Sequence, residues 1–235
     1  MDMKQFTVAT YNIHHGHDVG LDFSRLGFVL AASGADIVGI QEVDVETNRV
    51  RGRNTLAELA VAAGFEHSFF IPAMDYDGGR YGTAILSKHP LRNAVAYELF
   101  SGTCEPRSVG IAEIALPNGT VIRIVNTHLC VDSAEVRSIQ VKQIAYRCGE
   151  LLDTSVPTLI TGDFNVQALD ELSPFGEYGF KTINDEHAHY ATFRPTPMGI
   201  DHILYLQGKF NPIDHGMLDY DTSDHNLLWC RFSLS

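Results

Sequence analysis

The sequence predicts a mixed α/β fold in which two mixed β-sheets pack face to face with helices on their outer surfaces. Three observations predict it. Strand-like and helix-like periodicities alternate early in the chain, hairpin turns join β-rich runs in its middle, and strands return after Thr192. With 235 residues, 45% of them apolar, the chain can bury one large core, and no polar Pro/Gly/Ser-rich linker or internal repeat divides it. One domain over residues 1–235 is therefore expected.

Taken in order, Phe6 to Ile13 alternates and is β-rich, and Phe23 to Ala32 carries apolar residues at helical spacing until Gly34 stops it. Ile37-Val38-Gly39-Ile40 reads as a buried strand. A second helix fits Thr55 to Ala63, closed by Gly64, and a strand follows at His67 to Ile71. After the Asp77-Gly78-Gly79 turn, Thr83 to Ser87, Val95 to Phe100 and Val109 to Leu116 read as strands, and Pro117-Asn118-Gly119 is a hairpin signal into Thr120 to Asn126. Ala134 to Leu152 is the longest helical stretch, backed by a short buried strand, Thr158 to Thr161. His202 to Leu206 and Asn226 to Phe232 complete the set.

The formal net charge of −12 argues against a broad basic surface for a phosphate backbone, because nonspecific nucleic-acid affinity comes from Lys and Arg displacing counterions. A local basic pocket stays open. An acidic balance is also what a carboxylate-rich metal site looks like before its ion is counted. Met1 to Gln5 carry one Lys and no long apolar run, so no signal peptide is read there, and no transmembrane span follows. Cys104, Cys130, Cys148 and Cys230 lie far apart with no CxxC pair. They fit four reduced thiols in a cytoplasmic protein.

Polar residues collect where strands end, which is where ligands sit in such folds. In Thr161-Gly162-Asp163-Phe164-Asn165 an apolar strand runs into a turn bearing a carboxylate and a carboxamide two residues apart. Such a carboxylate can orient or deprotonate a water while the amide donates to a developing oxyanion. The plain alternative is an Asx turn. In Ser223-Asp224-His225 the adjacent Asp and His cannot easily pair, so His225 needs another carboxylate, for which Asp201 is the natural candidate; otherwise His225 is a surface residue. His128, in Asn126-Thr127-His128-Leu129, could donate to a phosphoryl oxygen. Glu42 offers a carboxylate suited to a hard cation such as Mg²⁺, or else a solvated charge.

Thr10-Tyr11-Asn12-Ile13, Gln41-Glu42-Val43, Ala84-Ile85-Leu86-Ser87, Asn126-Thr127-His128-Leu129, Gly162-Asp163-Phe164-Asn165, Ile200-Asp201-His202 and Ser223-Asp224-His225 appear in this order over nearly the whole chain. As an ordered set they resemble the endonuclease/exonuclease/phosphatase family, the DNase I-like phosphohydrolases. The resemblance implies a four-layer α/β sandwich and metal-assisted attack of water on phosphorus. It implies Glu42 as a ligand of Mg²⁺ or Mn²⁺ with help from Asn12, and Asp224 on the metal side. His225, paired with Asp201, would be the base or the phosphoryl-oxygen partner. Asp163 would position the water, and Asn165 and His128 would steady the phosphoryl oxygens. Arg107 resembles the family's phosphate-contacting Arg, the alternative being a surface Arg paired with Glu105.

Two further motifs bear on the substrate. His14-His15-Gly16-His17-Asp18 approaches a zinc-hydrolase pattern but has Val19 where that pattern needs His, so a polar loop at the rim of the site is expected. Asn48-Arg49-Val50-Arg51-Gly52-Arg53 is the densest positive run; it is read as a solvated loop before a helix capped at Asn54 or as a border of the cleft. In the second case replacing Arg49, Arg51 and Arg53 with Ala raises KM for a phosphodiester. No run of aromatics is present to stack bases. The expected partner is therefore a phosphate ester, specifically a small or lipid-derived phosphodiester, with DNA or RNA as the alternative. A non-catalytic binding module on the same fold is the more distant one, since every main position of the motif set is filled.

Overall fold

The structure, a computed structural model, describes residues 5–235; Met1 to Lys4, part of the segment read above for a signal peptide, lie outside the described residues. Two six-stranded mixed sheets face each other. In the first, β1 (Gln5–Asn12), β2 (Ile37–Val45), β3 (His67–Tyr76), β4 (Gly79–Ser87), β11 (Phe210–Leu218) and β12 (Leu227–Leu234) run in the order β11-β12-β1-β2-β4-β3. In the second, β5 (Leu91–Leu99), β6 (Arg107–Ala115), β7 (Val121–His128), β8 (Thr158–Asp163), β9 (Phe180–Thr182) and β10 (Asp201–Leu206) run in the order β5-β6-β7-β8-β10-β9.

Each sheet has one parallel pair near its centre, β1 with β2 and β7 with β8. A parallel pair needs a crossover, and here each crossover carries a helix. α1 (Phe23–Ala32) links β1 to β2, and α3 (Ala134–Tyr146) links β7 to β8; α2 (Thr55–Ala63) and the short α4 (Ser173–Gly176) complete the helices. Asp22, Asn54 and Ser133 cap α1, α2 and α3 by accepting from the Ser24, Ala57 and Val136 amides, and Gly64 closes α2 at φ 75°.

Alternation along the strands sorts the core into three layers. Phe6, Val8, Ile37, Ile122, Ile124, Leu159 and Ile203 meet between the sheets. Ala9, Tyr11, Val38 and Ile40 pack outward on Leu26, Leu30 and Leu59 of α1 and α2; Val125, Ile160 and Leu204 pack outward on Val141 and Ile144 of α3. The molecule is thus the four-layer α/β sandwich the sequence predicts.

Several boundaries differ, each for a local reason. The β3–β4 hairpin extends to a Tyr76–Gly79 pair, because Asp77 and Gly78 both adopt positive φ and make a two-residue turn that continues the ladder. The helix expected through Leu152 ends at Tyr146 and finishes in a π-type turn, Arg147–Leu151. β9 and β11 were not expected. β9 has three residues, and β11 is an edge strand carrying Pro212 at a bulge, where a mixed and mostly unburied sequence suffices.

Gly39 shows how closely the sheets approach. A Cβ there would overlap Thr161 Oγ1 and Asn126 Oδ1 of the opposite sheet. Gly39→Ala is expected to destabilise the chain by about 3 kcal/mol, combining overpacking with the broken hydrogen bond between those two groups. A urea midpoint that moves by less than the equivalent of roughly 1 kcal/mol would show that the sheets part there at little cost.

Candidate active site

On the strands facing the gap, apolar residues give way to polar ones toward one edge. β1 runs Phe6, Val8, Thr10, Asn12; β7 runs Ile122, Ile124, Asn126, His128; β8 runs Leu159, Thr161, Asp163. The carboxyl ends of both parallel pairs therefore carry polar side chains into one place. β10, antiparallel to β8, begins there with Asp201 paired to Asp163, and the turn before β12 brings Asp224 and His225.

A buried polar floor supports this edge. Gln41 donates to Thr10 Oγ1 (3.1 Å) and Asn126 Oδ1 (2.8 Å), Thr161 Oγ1 donates to the same oxygen (3.0 Å), and Asn126 donates to the Ile40 and Ala84 carbonyls. Every bond crosses between strands, so the floor holds both sheets in register.

Glu42 lies inside β2, and a bulge brings it to the site. The pairing with β4 shifts between Ile40 and Val43, and Glu42 takes φ 59°. Regular alternation would have sent it outward with Val38 and Ile40. Its Oε1 instead accepts from Asn12 Nδ2 (3.1 Å), and its Oε2 lies 3.3 Å from His15 Nδ1. Burial opposes a charge there, but the hydrogen bonds from His15 and Asn12 hold the carboxyl well below the usual range.

Asp163 is the hub. Its Oδ2 accepts from Asn12 Nδ2 (3.0 Å) and lies 3.5 Å from His128 Nε2 and 3.7 Å from His225 Nε2; its Oδ1 accepts from the Asn165 amide (3.0 Å). Burial, then the neighbouring Asp201, pushes its carboxyl up to about 7, against the pull of His225. His225 Nδ1 is 2.8 Å from Asp201 Oδ2. Burial would lower His225, but Asp201, then Asp163 and Asp224, outweigh it and raise the imidazole to about 10. The carboxylates thus favour the imidazolium form. His128 goes the other way: burial, then the Arg107 guanidinium, lowers it well below an ordinary imidazole. Arg107, which has only donors, gives a hydrogen bond to His128 Nδ1 (3.2 Å), so the ring proton sits on Nε2, facing Asp163.

The remaining candidates are placed less centrally. Arg107 is buried, paired with Glu105 at 2.6 Å, and lines the same cavity. Asn165 lines it too, but its amide donates to the Leu129 carbonyl (3.1 Å), and the Asp163–Asn165 bond is an Asx turn. Asp224 stands at the wall, its Oδ1 3.6 Å from His14 Nδ1. His202, next to Asp201, faces the helix side against Phe164. Ser223 was not singled out from the sequence, although its hydroxyl donates to the Asn12 carbonyl (2.8 Å) and accepts from the His225 amide (3.2 Å), tying β1 to the histidine turn. A Ser one residue before an Asp-His pair is the signal that could have found it.

The cavity above these groups measures about 430 Å³ and is walled by Met74, Tyr76, Tyr81, Phe193, Met198 and Ile200, with Arg49 and Arg107 as its Arg lining. Arg49 pairs with the buried Asp44 (Nε to Oδ2, 2.5 Å) and lies over the Tyr76 and Tyr81 rings. Arg51 is exposed, and Arg53 turns away to Glu58 and the Leu21 carbonyl, while Asn54 caps α2. The positive run thus divides, and Arg49→Ala alone is expected to raise KM, about tenfold, near 1.4 kcal/mol. It should also lower stability, since among the described residues Asp44 keeps only Thr47 as a side-chain partner. An Arg51→Ala variant that raised KM equally would put the substrate elsewhere.

The fold is thus an α/β sandwich whose two parallel pairs deliver carboxylates and imidazoles to one edge. The family model described as "Endonuclease/Exonuclease/phosphatase family" matches residues 9–225, and the chain belongs to that family. The uncharacterized protein YbhP of Escherichia coli K12 is 30% identical over 173 residues, 68% of this chain; the chain covers 66% of YbhP, just under two thirds of its length. Among solved structures, an endonuclease/exonuclease/phosphatase from Beutenbergia cavernae superposes with a TM-score of 0.83 at 21% identity, over 98% of this chain and 72% of that one. A Bacteroides thetaiotaomicron mannosyl-6-phosphatase gives 0.77 at 18%, over 97% and 100%. TDP2 of D. rerio, complexed with a single-strand DNA product, gives 0.74 at 20%, over 97% and 99%. At these identities the structural likeness establishes the fold alone.

Proposed function

We propose that the chain hydrolyses a small or lipid-derived phosphodiester by attack of water on phosphorus, assisted by a divalent metal held at Glu42. The observation that carries this reading is the convergence of His128 and His225 on Asp163 Oδ2, beside Glu42. Glu42 fits a hard cation: its carboxylate stays ionised, is fixed by Asn12 and opens to the cavity. Mg²⁺ or Mn²⁺ bound there would supply positive charge to the phosphoryl oxygens and the leaving group. Asp224 is the further carboxylate on that side.

Asp163 is the proposed base. It is the carboxylate whose affinity for a proton is raised into the working range, and its Oδ1 is fixed by the Asn165 amide. His225, kept protonated by Asp201, and His128, with its proton on Nε2, donate to phosphoryl oxygens as charge builds there. Arg107 holds the His128 tautomer and adds positive charge. Asn165 shapes the Asp163 turn.

The substrate class rests on the cavity. Its apolar wall suits the organic part of a compact ester, and a net charge of −12 with two Arg on the lining offers little to a polyanion. No helix among the described residues is long and apolar enough to cross a membrane. The cytoplasm is the proposed compartment, on the four free thiols, and one catalytic domain over residues 1–235 the proposed organisation, on the shared inter-sheet core.

The test is a screen with Mg²⁺ and Mn²⁺ across bis-p-nitrophenyl phosphate, plain and abasic DNA, RNA, sphingomyelin and inositol phosphates. Turnover of the small or lipid diesters above the nucleic acids is expected. Preferred cleavage of DNA or RNA would replace the proposed substrate class.

A further inference from the structure

The segment after β1 does more than border the cavity. His14 and His15 follow Asn12 in a single tight turn, with φ 44° and 43°. Non-glycine residues rarely take this conformation, although His is among the types that take it more often. Glu42, the third strained residue here, takes φ 59° at its bulge. Positive φ at two positions in the turn after β1 and at one inside β2 has one common effect: ligating atoms of His14, His15 and Glu42 come within 4.8 Å of one another, facing the cavity.

The details suit a cation. His15 Nδ1 and Glu42 Oε2 are 3.3 Å apart. Two ligands bound to one ion at about 2.1 Å lie roughly 3.0–3.4 Å apart in octahedral or tetrahedral arrangements. His14 Nδ1 is 2.8 Å from Asp18 Oδ2, four residues on. A carboxylate behind one ring nitrogen is the usual support of a metal-binding histidine, since it fixes the tautomer and leaves the other nitrogen's lone pair free. Asn12 Oδ1 accepts from the His14 amide (3.0 Å), so the residue that steadies Glu42 also fixes the start of the histidine turn. All three side chains are partly open to solvent, which leaves coordination positions for water and substrate.

We propose that His15 and His14 join Glu42 as ligands of the site's divalent cation, so that the site selects a first-row transition ion over Mg²⁺. This rests on the reading of Glu42 as a metal ligand given above. The chemical reason is that imidazole nitrogen suits transition ions, whereas Mg²⁺ prefers oxygen and sheds its waters reluctantly.

The test uses the full chain freed of metal by chelation, with Mn²⁺, Zn²⁺ and Mg²⁺ titrated by calorimetry and bound Mn²⁺ examined by electron spin-echo spectroscopy. Native protein is expected to bind Mn²⁺ and Zn²⁺ at least about a hundredfold more tightly than Mg²⁺, and to show nitrogen coupling to Mn²⁺. His15→Gly removes the ring where glycine adopts the backbone freely, so a merely structural histidine would leave the fold at least as stable. The variant should weaken Mn²⁺ and Zn²⁺ at least about tenfold, reduce the nitrogen signal and change Mg²⁺ little. His14→Asn, which tolerates positive φ, should act in the same direction. Unchanged nitrogen coupling and an unchanged Mn²⁺ to Mg²⁺ ratio in both variants would overturn the assignment. Glu42→Gln separates the two readings. If it leaves all metal binding intact, Glu42 is not the ligand and the proposed function loses its metal site. If it abolishes binding while the histidine variants bind as the native chain does, only the histidine assignment falls.

Discussion

Asp163→Asn is expected to lower kcat by roughly 10³–10⁴-fold, about 4–5.5 kcal/mol in the barrier, with KM nearly unchanged. The amide has a single acceptor oxygen, which can keep the bond from the Asn165 backbone and with it the turn, while the bond from Asn12 and the proton acceptor are lost. The fold should survive as well, because the substitution removes a buried charge that Asp201 repels. A pH profile makes the test sharper. Asp163 acts as a base only when ionised, so in the native enzyme kcat should fall as pH drops through the Asp163 pKa, and that acid limb should flatten in the variant. A loss of less than about tenfold, or an acid limb that persists, would move the base elsewhere.

His225→Ala is expected to cost about 10²–10³-fold in kcat, Asp201→Asn roughly tenfold to a hundredfold, and the double variant no more than His225→Ala alone, because the two residues act as one unit. An Asn at 201 can still accept from His225 Nδ1 and so orient the ring, but it no longer supplies the negative charge that outweighs burial. The sign follows. His225 donates while protonated, so activity is lost as pH rises through its pKa, near 10 in the native chain. In Asp201→Asn that pKa drops toward the ordinary imidazole value of about 6.5, and the alkaline loss should enter the pH 7–9 window. An alkaline limb that does not move would show that Asp201 is not what keeps His225 charged.

Much of this protein follows from its sequence. α1 and α2 occupy the expected residues because capping side chains, helical spacing and closing glycines agree, and such signals are local. The site candidates could be named because β7 and β8 run apolar and then end in a polar residue, which is legible wherever strand period and strand end are both clear. β11 escaped for the opposite reason: an edge strand half-exposed on both faces has no alternation to read.

The sequence by itself determined the layer architecture, the family resemblance and the set of polar residues. Only the tertiary structure decided how they act. That Glu42 reaches the cavity depends on a bulge and a positive φ, and that Arg49 rather than Arg51 or Arg53 borders it depends on Asp44 and two tyrosines across the hairpin. The opposite protonation of His128 and His225 depends on an Arg beside one ring and carboxylates beside the other, brought from strands far apart in the chain. Local periodicity is carried by neighbours along the chain and can be read from it. Charge state and ligand geometry are set by neighbours across space, and they exist only once the two sheets have closed on each other.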